Sequence, residues 1–209
     1  MRKVIVYIDG FNFFYGLKKV QSWKKYYWID LVKLFNMFMR EDQELTAVKY
    51  FSAVPDDIGK SKRQDAFFQV NKENSKFNLI LGKYLKKEIT CKNCNYIIHT
   101  HEEKESDVRI ATQIVVDAYQ KNCDVSIVVS ADSDMSPVIE IMKEIGHPLY
   151  VYFPPNQYSN NLISISSYKV IKLQQYEQRF KKCILPDVIH LKNGFNLNIP
   201  LKWKEFQTK

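Results

Sequence analysis

Four aspartates in this sequence stand where a carboxylate can do more than solvate a surface. Asp9 directly follows the apolar, β-branched run of residues 4–8 and is itself followed by Gly10 and Asn12. Asp132 and Asp134 follow a second such run, in Ser130-Ala131-Asp132-Ser133-Asp134. Asp107 comes after Ser106, a candidate N-cap, at the head of a helical stretch reaching about Lys121. Its companions at i+4, i+7 and i+11 are Ala111, Ile114 and Ala118, an apolar stripe that turns Asp107 inward. Carboxylates gathered near a buried edge repel one another, and each has its pKa raised unless a cation lies between them. A hard cation, Mg2+ or Mn2+, prefers such oxygen ligands and keeps several waters. It can lower the pKa of a water and offset charge on a phosphoryl oxygen, which is the chemistry of phosphodiester hydrolysis. Taken singly, an Asp at a strand end or helix start is usually a cap or turn residue. The joint pattern is what points to a site.

The elements that must position these residues alternate. Residues 4–8 read as a strand buried on both faces, the mark of a parallel sheet. Helical stretches follow to about Lys19 and over residues 30–40, then a strand over 45–53, a polar helix over 56–74 and a short strand over 77–81. Residues 123–130 repeat the buried-strand pattern. Ser136 and Pro137 predict an N-cap followed by proline at the first helical position. Val138, Ile141, Met142 and Ile145 predict that helix's buried face, Gly146 its end, and residues 149–153 a further strand. This order predicts right-handed βαβ units in a three-layer α/β/α sandwich with a central, mainly parallel sheet. Residues 84–101 interrupt the alternation as an inserted β-hairpin. The expected organisation is a domain over residues 1–168 that includes the hairpin, and a C-terminal extension over 169–209 packed on it. In such sheets ligands bind outside the carboxyl ends of the strands, where Asp9 and Asp132 fall.

Charge agrees with a phosphodiester partner. The 209 residues carry a net +8 with a pI near 9.1, and residues 169–209 account for +6 of it. A hydrophobic fraction of 45% with 26% charged residues excludes a disordered or collagenous chain. No apolar run approaches the roughly 18 residues of a membrane helix, and residues 4–8 are too short for a signal peptide. Four cysteines over this length make no disulfide framework, so a reducing cytoplasm is expected. Only six glycines, and no glycine-rich turn after the first strand, disfavour a dinucleotide-binding fold.

Three segments carry a family resemblance: Tyr7-Ile8-Asp9-Gly10-Phe11-Asn12, Glu103-Lys104-Glu105-Ser106-Asp107-Val108, and the run from Val129 through Asp132 and Asp134 to Pro137. In this order they resemble the NYN domain, a branch of the PIN-like nuclease superfamily, in the group that includes the LabA/DUF88 proteins. Leu185-Pro186-Asp187, and Pro200 with Trp203, resemble extensions in that group more weakly. The resemblance implies a metal-dependent ribonuclease with Asp9, Asp107 and Asp132 as the acidic cluster holding Mg2+ or Mn2+. It implies Asp134 as a fourth member or water-orienting group, and Asn12 as a group positioning a ligand or the phosphate. The expected partner is RNA, single-stranded or in loops, and a homodimer is among the assemblies the sequence allows. There are departures. Many relatives have a carboxylate where this chain has Gln113, and small residues where it has Glu105 and Ser106.

Three further features stand beside this cluster. Cys91, Cys94, His99 and His101 offer four ligand types within eleven residues, a candidate zinc knuckle; a reduced hairpin tip is the plainer reading, because a single CxxC usually needs a matching second pair. Phe11, Phe13, Phe14 and Tyr15 crowd beside Asp9, where rings stack bases or pack a core. Lys18, Lys19, Lys24 and Lys25, interleaved with Trp23, Tyr26, Tyr27 and Trp28, form a candidate nucleic-acid surface. A non-catalytic RNA-binding or regulatory protein is the competing function, favoured by Gln113. A haloacid-dehalogenase-like phosphatase ranks last, because the second acid it needs two residues after Asp9 is Phe11 here.

Overall fold

The computed structural model describes residues 1–90, 93–94 and 96–207, without the side chains of 83–89 and 98–104. Strand β1 (Arg2–Asp9) runs into helix α1 (Gly10–Lys18) with no intervening loop. A 3-10 segment (Gln21–Tyr27) and α2 (Leu31–Asn36) lead to β2 (Gln43–Ser52), α3 (Ile58–Lys72) and β3 (Phe77–Leu81). Then come the hairpin β4 (Lys83–Thr90) and β5 (Ile97–Lys104), α4 (Ser106–Tyr119), β6 (Val125–Val129), α5 (Ser136–Glu144), β7 (Leu149–Phe153), α6 (Asn160–Ile165) and β8 (Val170–Lys172). The chain closes with α7 (Glu177–Lys181), the short strands β9 (Val188–His190) and β10 (Asn196–Asn198), and α8 (Leu201–Lys204).

Six strands form one all-parallel sheet in the order β3-β2-β1-β6-β7-β8. The chain builds outward from β1 in one direction, then returns to build outward in the other. The reversal lies between β1 and β6, and it opens a crevice at their carboxyl ends. Alternation along β1 divides the core. Val4, Val6 and Ile8 join the layer under α1, α2 and α3, whereas Ile5 and Tyr7 join the layer under α4 and α5. Asp9 continues the second set, so strand period alone directs its side chain towards the α4 layer. The hairpin is a separate two-stranded sheet. It leaves the main sheet after Leu81 and returns into the start of α4, at the edge that carries the crevice.

Several expectations change. The extension does not begin as an appendage: β8 follows the expected boundary at residue 168 and pairs with β7. Met135, not Ser136, is the N-cap of α5, because a 3-10 turn (Ser133–Met135) feeds directly into the helix. The buried face of α5 is Val138, Ile139 and Met142, while Ile141 and Ile145 face water. Val138 and Met142 belong to both helical stripes, so spacing alone could not choose between them. The rings of Trp23, Tyr26, Tyr27 and Trp28 are buried rather than offered to a ligand. They pack with Phe180, Trp203 and Phe206 of the C-terminal extension. Lys18 and Lys19 are exposed, whereas Lys24 and Lys25 are half-buried: Lys24 lies over the Phe206 ring at 5.6 Å, and Lys25 pairs with Glu177 at 3.3 Å.

Candidate active site

Asp9, Asp107 and Asp132 line one cleft of about 330 Å³ at the crevice between β1 and β6, together with Phe11, Asn12, Tyr15, Glu105, Ser106 and Gln157. Each carboxylate arrives on a different element. Asp9 ends β1 and caps α1: its Oδ1 accepts from the Asn12 N–H at 2.9 Å, and its Oδ2 accepts from the Ser130 hydroxyl at 3.0 Å. Gly10 is required here, since a Cβ would lie 2.5 Å from both the Phe51 carbonyl oxygen and the Tyr50 ring. Asp132 caps the 3-10 turn by accepting from the Asp134 N–H at 3.0 Å. Capping and site placement therefore coincide in the same side chains. Ser130, fully buried, also accepts from the Asp132 N–H at 3.1 Å, so one hydroxyl ties the two aspartates together.

Asp107 sits in the first turn of α4, half-buried on the cleft wall. Ser106 is not the cap. The capping position is Glu105, held left-handed at φ 79°. That conformation suits glycine far better than glutamate. Glu105 is also paired with Arg109 at 2.9 Å.

Electrostatics distinguish these carboxylates from ordinary caps. Burial pushes Asp9 up to about 6; its two hydrogen bonds pull the other way, and Asp107 and Asp132 push it further up. Asp107 is also raised, by burial and then by Asp132 and Asp134. Asp134 itself is exposed and does not line the cleft, so it acts on the cluster from the rim. Among the described residues no three of His, Cys, Asp and Glu are gathered as tightly as an ion's direct ligands. The donors are nevertheless all oxygen, and their mutual repulsion is what a cation relieves. That donor chemistry would suit a hard cation such as Mg2+ or Mn2+.

Asn12 is clamped from two sides. Its Oδ1 accepts from the Ala131 N–H at 3.1 Å, and its carbonyl accepts from Gln157. Gln157, in the loop after β7, lines the cleft, and Ser130 lies buried behind it; sequence reasoning assigned neither a role. The hydroxyl two residues before Asp132 was a readable signal. Gln157 gave none, because it reaches the site from 145 residues away. Gln113 does not line the cleft and donates instead to Asp117 at 3.2 Å. Of the zinc candidates, Cys94 is exposed at the hairpin turn; Cys91 and the side chains of His99 and His101 lie outside the described residues.

The sequence pattern of the NYN domain matches residues 3–174, which takes in the six-stranded sheet apart from Arg2 at the start of β1. The chain belongs to the NYN domain family. That family falls in the PIN-like nuclease superfamily, and the sheet flanked by helices agrees with a PIN-like fold. A solved structure with the same fold is VPA0982 of Vibrio parahaemolyticus, a protein of unknown function. It is 20% identical, with a TM-score of 0.57 over 81% of this chain and 92% of that one. A curated relative is the 6-hydroxy-3-succinoylpyridine 3-monooxygenase HspA of Pseudomonas putida, 24% identical over 174 residues and 66% of this NYN chain. The chain spans about half the length of that relative, 54%. Among the described residues no helix is long and apolar enough to cross a membrane.

Proposed function

We propose that this NYN protein is a divalent-metal-dependent endoribonuclease of LabA/DUF88 type, hydrolysing phosphodiester bonds of single-stranded or loop RNA. The observation that carries the reading is the placement of Asp9, Asp107 and Asp132 in one cleft, with Asp9 and Asp107 raised by burial and by neighbouring carboxylates. These three would hold Mg2+ or Mn2+, directly or through water. Such an ion supplies charge neutralisation, an acidified water and stabilisation of phosphoryl charge. The chain's own part is positional. Ser130 and the Asn12 N–H hold Asp9 rigid, so it need not reorganise as charge develops. Asn12, clamped through Oδ1 and its carbonyl, keeps its amide nitrogen as a donor for a phosphate oxygen. Asp134, at the rim, orients water at the open side. The free, buried thiols of Cys123 and Cys183 suit a reducing compartment, the cytoplasm.

A second reading, an RNA-binding regulator without turnover, draws on Gln113. The residue standing where many relatives have a carboxylate turns to Asp117 and adds no charge to the cleft. The hydroxylation named for the Pseudomonas relative stays with that protein, given 24% identity and half its length matched. The deciding assay incubates purified protein with end-labelled single-stranded RNA in Mn2+, Mg2+ or EDTA. Cleavage is expected with either ion, leaving 5′-phosphate and 3′-hydroxyl ends without need of the 2′-hydroxyl. Cleavage that persists in EDTA removes the metal-dependent mechanism. Binding without cleavage under every divalent ion installs the regulatory reading.

A further inference from the structure

Helix α1 buries Gly10, Phe13, Gly16 and Leu17. Phe14 packs against that core as well and stacks on Tyr27 at 4.8 Å. Phe11 and Tyr15 behave differently. Both line the acidic cleft, and their rings stack on each other with centroids 6.4 Å apart and planes 28° apart. Tyr15 is 49% exposed and is not part of the core. Lys18 follows at helical spacing, its ammonium 5.4 Å from the Tyr15 ring. Residues 11, 15 and 18 thus form one stripe, two rings and a cation, spanning about 10 Å of the helix that Asp9 caps.

We infer that Phe11 and Tyr15 form a stacking platform for an unpaired base of single-stranded RNA beside the scissile phosphate, with Lys18 meeting the adjoining phosphate. The inference rests on the nuclease reading of the same cleft. A cleft walled by Asp9, Glu105, Asp107 and Asp132 repels a phosphodiester, so affinity for the strand must come from groups around it. Ring faces supply it without regard to charge, and every base has a π-face to offer. A base inside a duplex is already stacked on both sides, so the platform selects for single strands and loops. Lys18 lies where a cation adds both phosphate attraction and cation–π support to the Tyr15 ring.

The test separates binding from cleavage. A short single-stranded RNA carrying one 2-aminopurine is titrated in EDTA with wild-type protein, Phe11→Ala, Tyr15→Ala and Tyr15→Phe; a duplex of the same sequence is run in parallel. Each alanine variant should bind the single strand roughly 5- to 100-fold more weakly and lose the change in 2-aminopurine emission. Tyr15→Phe, which keeps the ring, should stay within about twofold of wild type, and duplex affinity should not move. Single-strand affinity unchanged in both alanine variants overturns the platform. So does an equal loss for duplex and single strand, or a wild-type protein that does not bind the single strand at all. Ring-dependent binding by a protein that never cleaves in Mn2+ leaves the platform standing and removes the nuclease reading alone.

Discussion

Two buried carboxylate sites sit under the same helix and have opposite characters. Near its C-terminal end α4 carries Asp117, which is 1% exposed. Its carboxylate accepts from Lys49 Nζ at 2.6 Å, the Tyr7 hydroxyl at 2.8 Å, Asn122 at 3.0 Å and Gln113 at 3.2 Å. Burial alone would raise this carboxyl, but the hydrogen bonds of Lys49, Asn122 and Tyr7 and the charge of Lys49 hold it below the usual range. At the other end of α4, Asp107 faces Asp9 and Asp132 with no cation among the cleft-lining residues, and both Asp9 and Asp107 are raised. Tyr7 serves the first site and Asp9 the second, two residues apart on one face of β1. The difference teaches which buried acid is structural. A carboxylate surrounded by donors and one cation stabilises the fold, whereas carboxylates left facing each other hold unresolved repulsion that a ligand can release. Charge removal should therefore destabilise the Asp117 site and stabilise the cleft.

The largest expected effect is at the satisfied site. Lys49→Met leaves Asp117 buried without its cation. The loss should be about 3 kcal/mol, the lower end for a broken buried pair because three other donors remain. In a chain of this size that is a fall in Tm of roughly 6–12 °C, with RNA cleavage well below the transition unchanged. A melting curve superimposable on wild type would break the contrast between the sites. Next comes Asp9→Asn, which keeps shape and removes charge. Turnover on RNA in saturating Mn2+ should fall at least ~100-fold, with RNA binding retained; equal rates would take Asp9 out of the mechanism.

The same Asp9→Asn variant sharpens the comparison through pH. The folded carboxyl at about 6 lies above its ordinary value of 3.8, so between these pH values the folded state holds more protons than the unfolded state. Wild-type stability should therefore decline as pH rises through that window, with the full cost present above about pH 6. Ionising a carboxyl raised this far costs the fold about 3 kcal/mol, and losing a hydrogen bond to a charged acceptor returns about 1.5 kcal/mol of that. The variant should thus be more stable than wild type by about 1–2 kcal/mol at pH 7.5 in EDTA, and less stable than it by about 1 kcal/mol near pH 4, where only the hydrogen-bond loss remains. Denaturant titrations at both pH values measure this, and a variant less stable than wild type at pH 7.5 would deny the repulsion. The smallest effect belongs to Glu105→Gly. Relief of the left-handed backbone at φ 79° should outweigh the exposed Arg109 pair, for a gain below about 1 kcal/mol by the same titration.

What the sequence determined by itself was local. The apolar runs at residues 4–8 and 123–130 identified buried strands, because only a sheet covered on both faces tolerates them. A carboxylate at the end of such a run was legible for the same reason: the strand delivers it to the sheet's edge, and its phase against Ile5 and Tyr7 selects the face. Gly10 and Asn12 beside Asp9 stood out in the sequence as more than turn residues, but the close approach of Gly10 to Phe51 and Tyr50 and the bond from the Ala131 N–H to Asn12 needed the fold. Everything that depended on strand order waited for the tertiary structure. Placing β6 beside β1 is a choice among long-range pairings that residue types barely encode, yet it alone brings Ser130 to Asp9 across 121 positions. The same holds for Gln157, for the Lys49–Asp117 pair, and for the aromatic run at residues 23–28. That run carries lysines enough to look like a surface, and only the C-terminal extension folding over it makes it core. Periodicity reports the face of an element, and the identity of what covers that face is a property of the assembled chain.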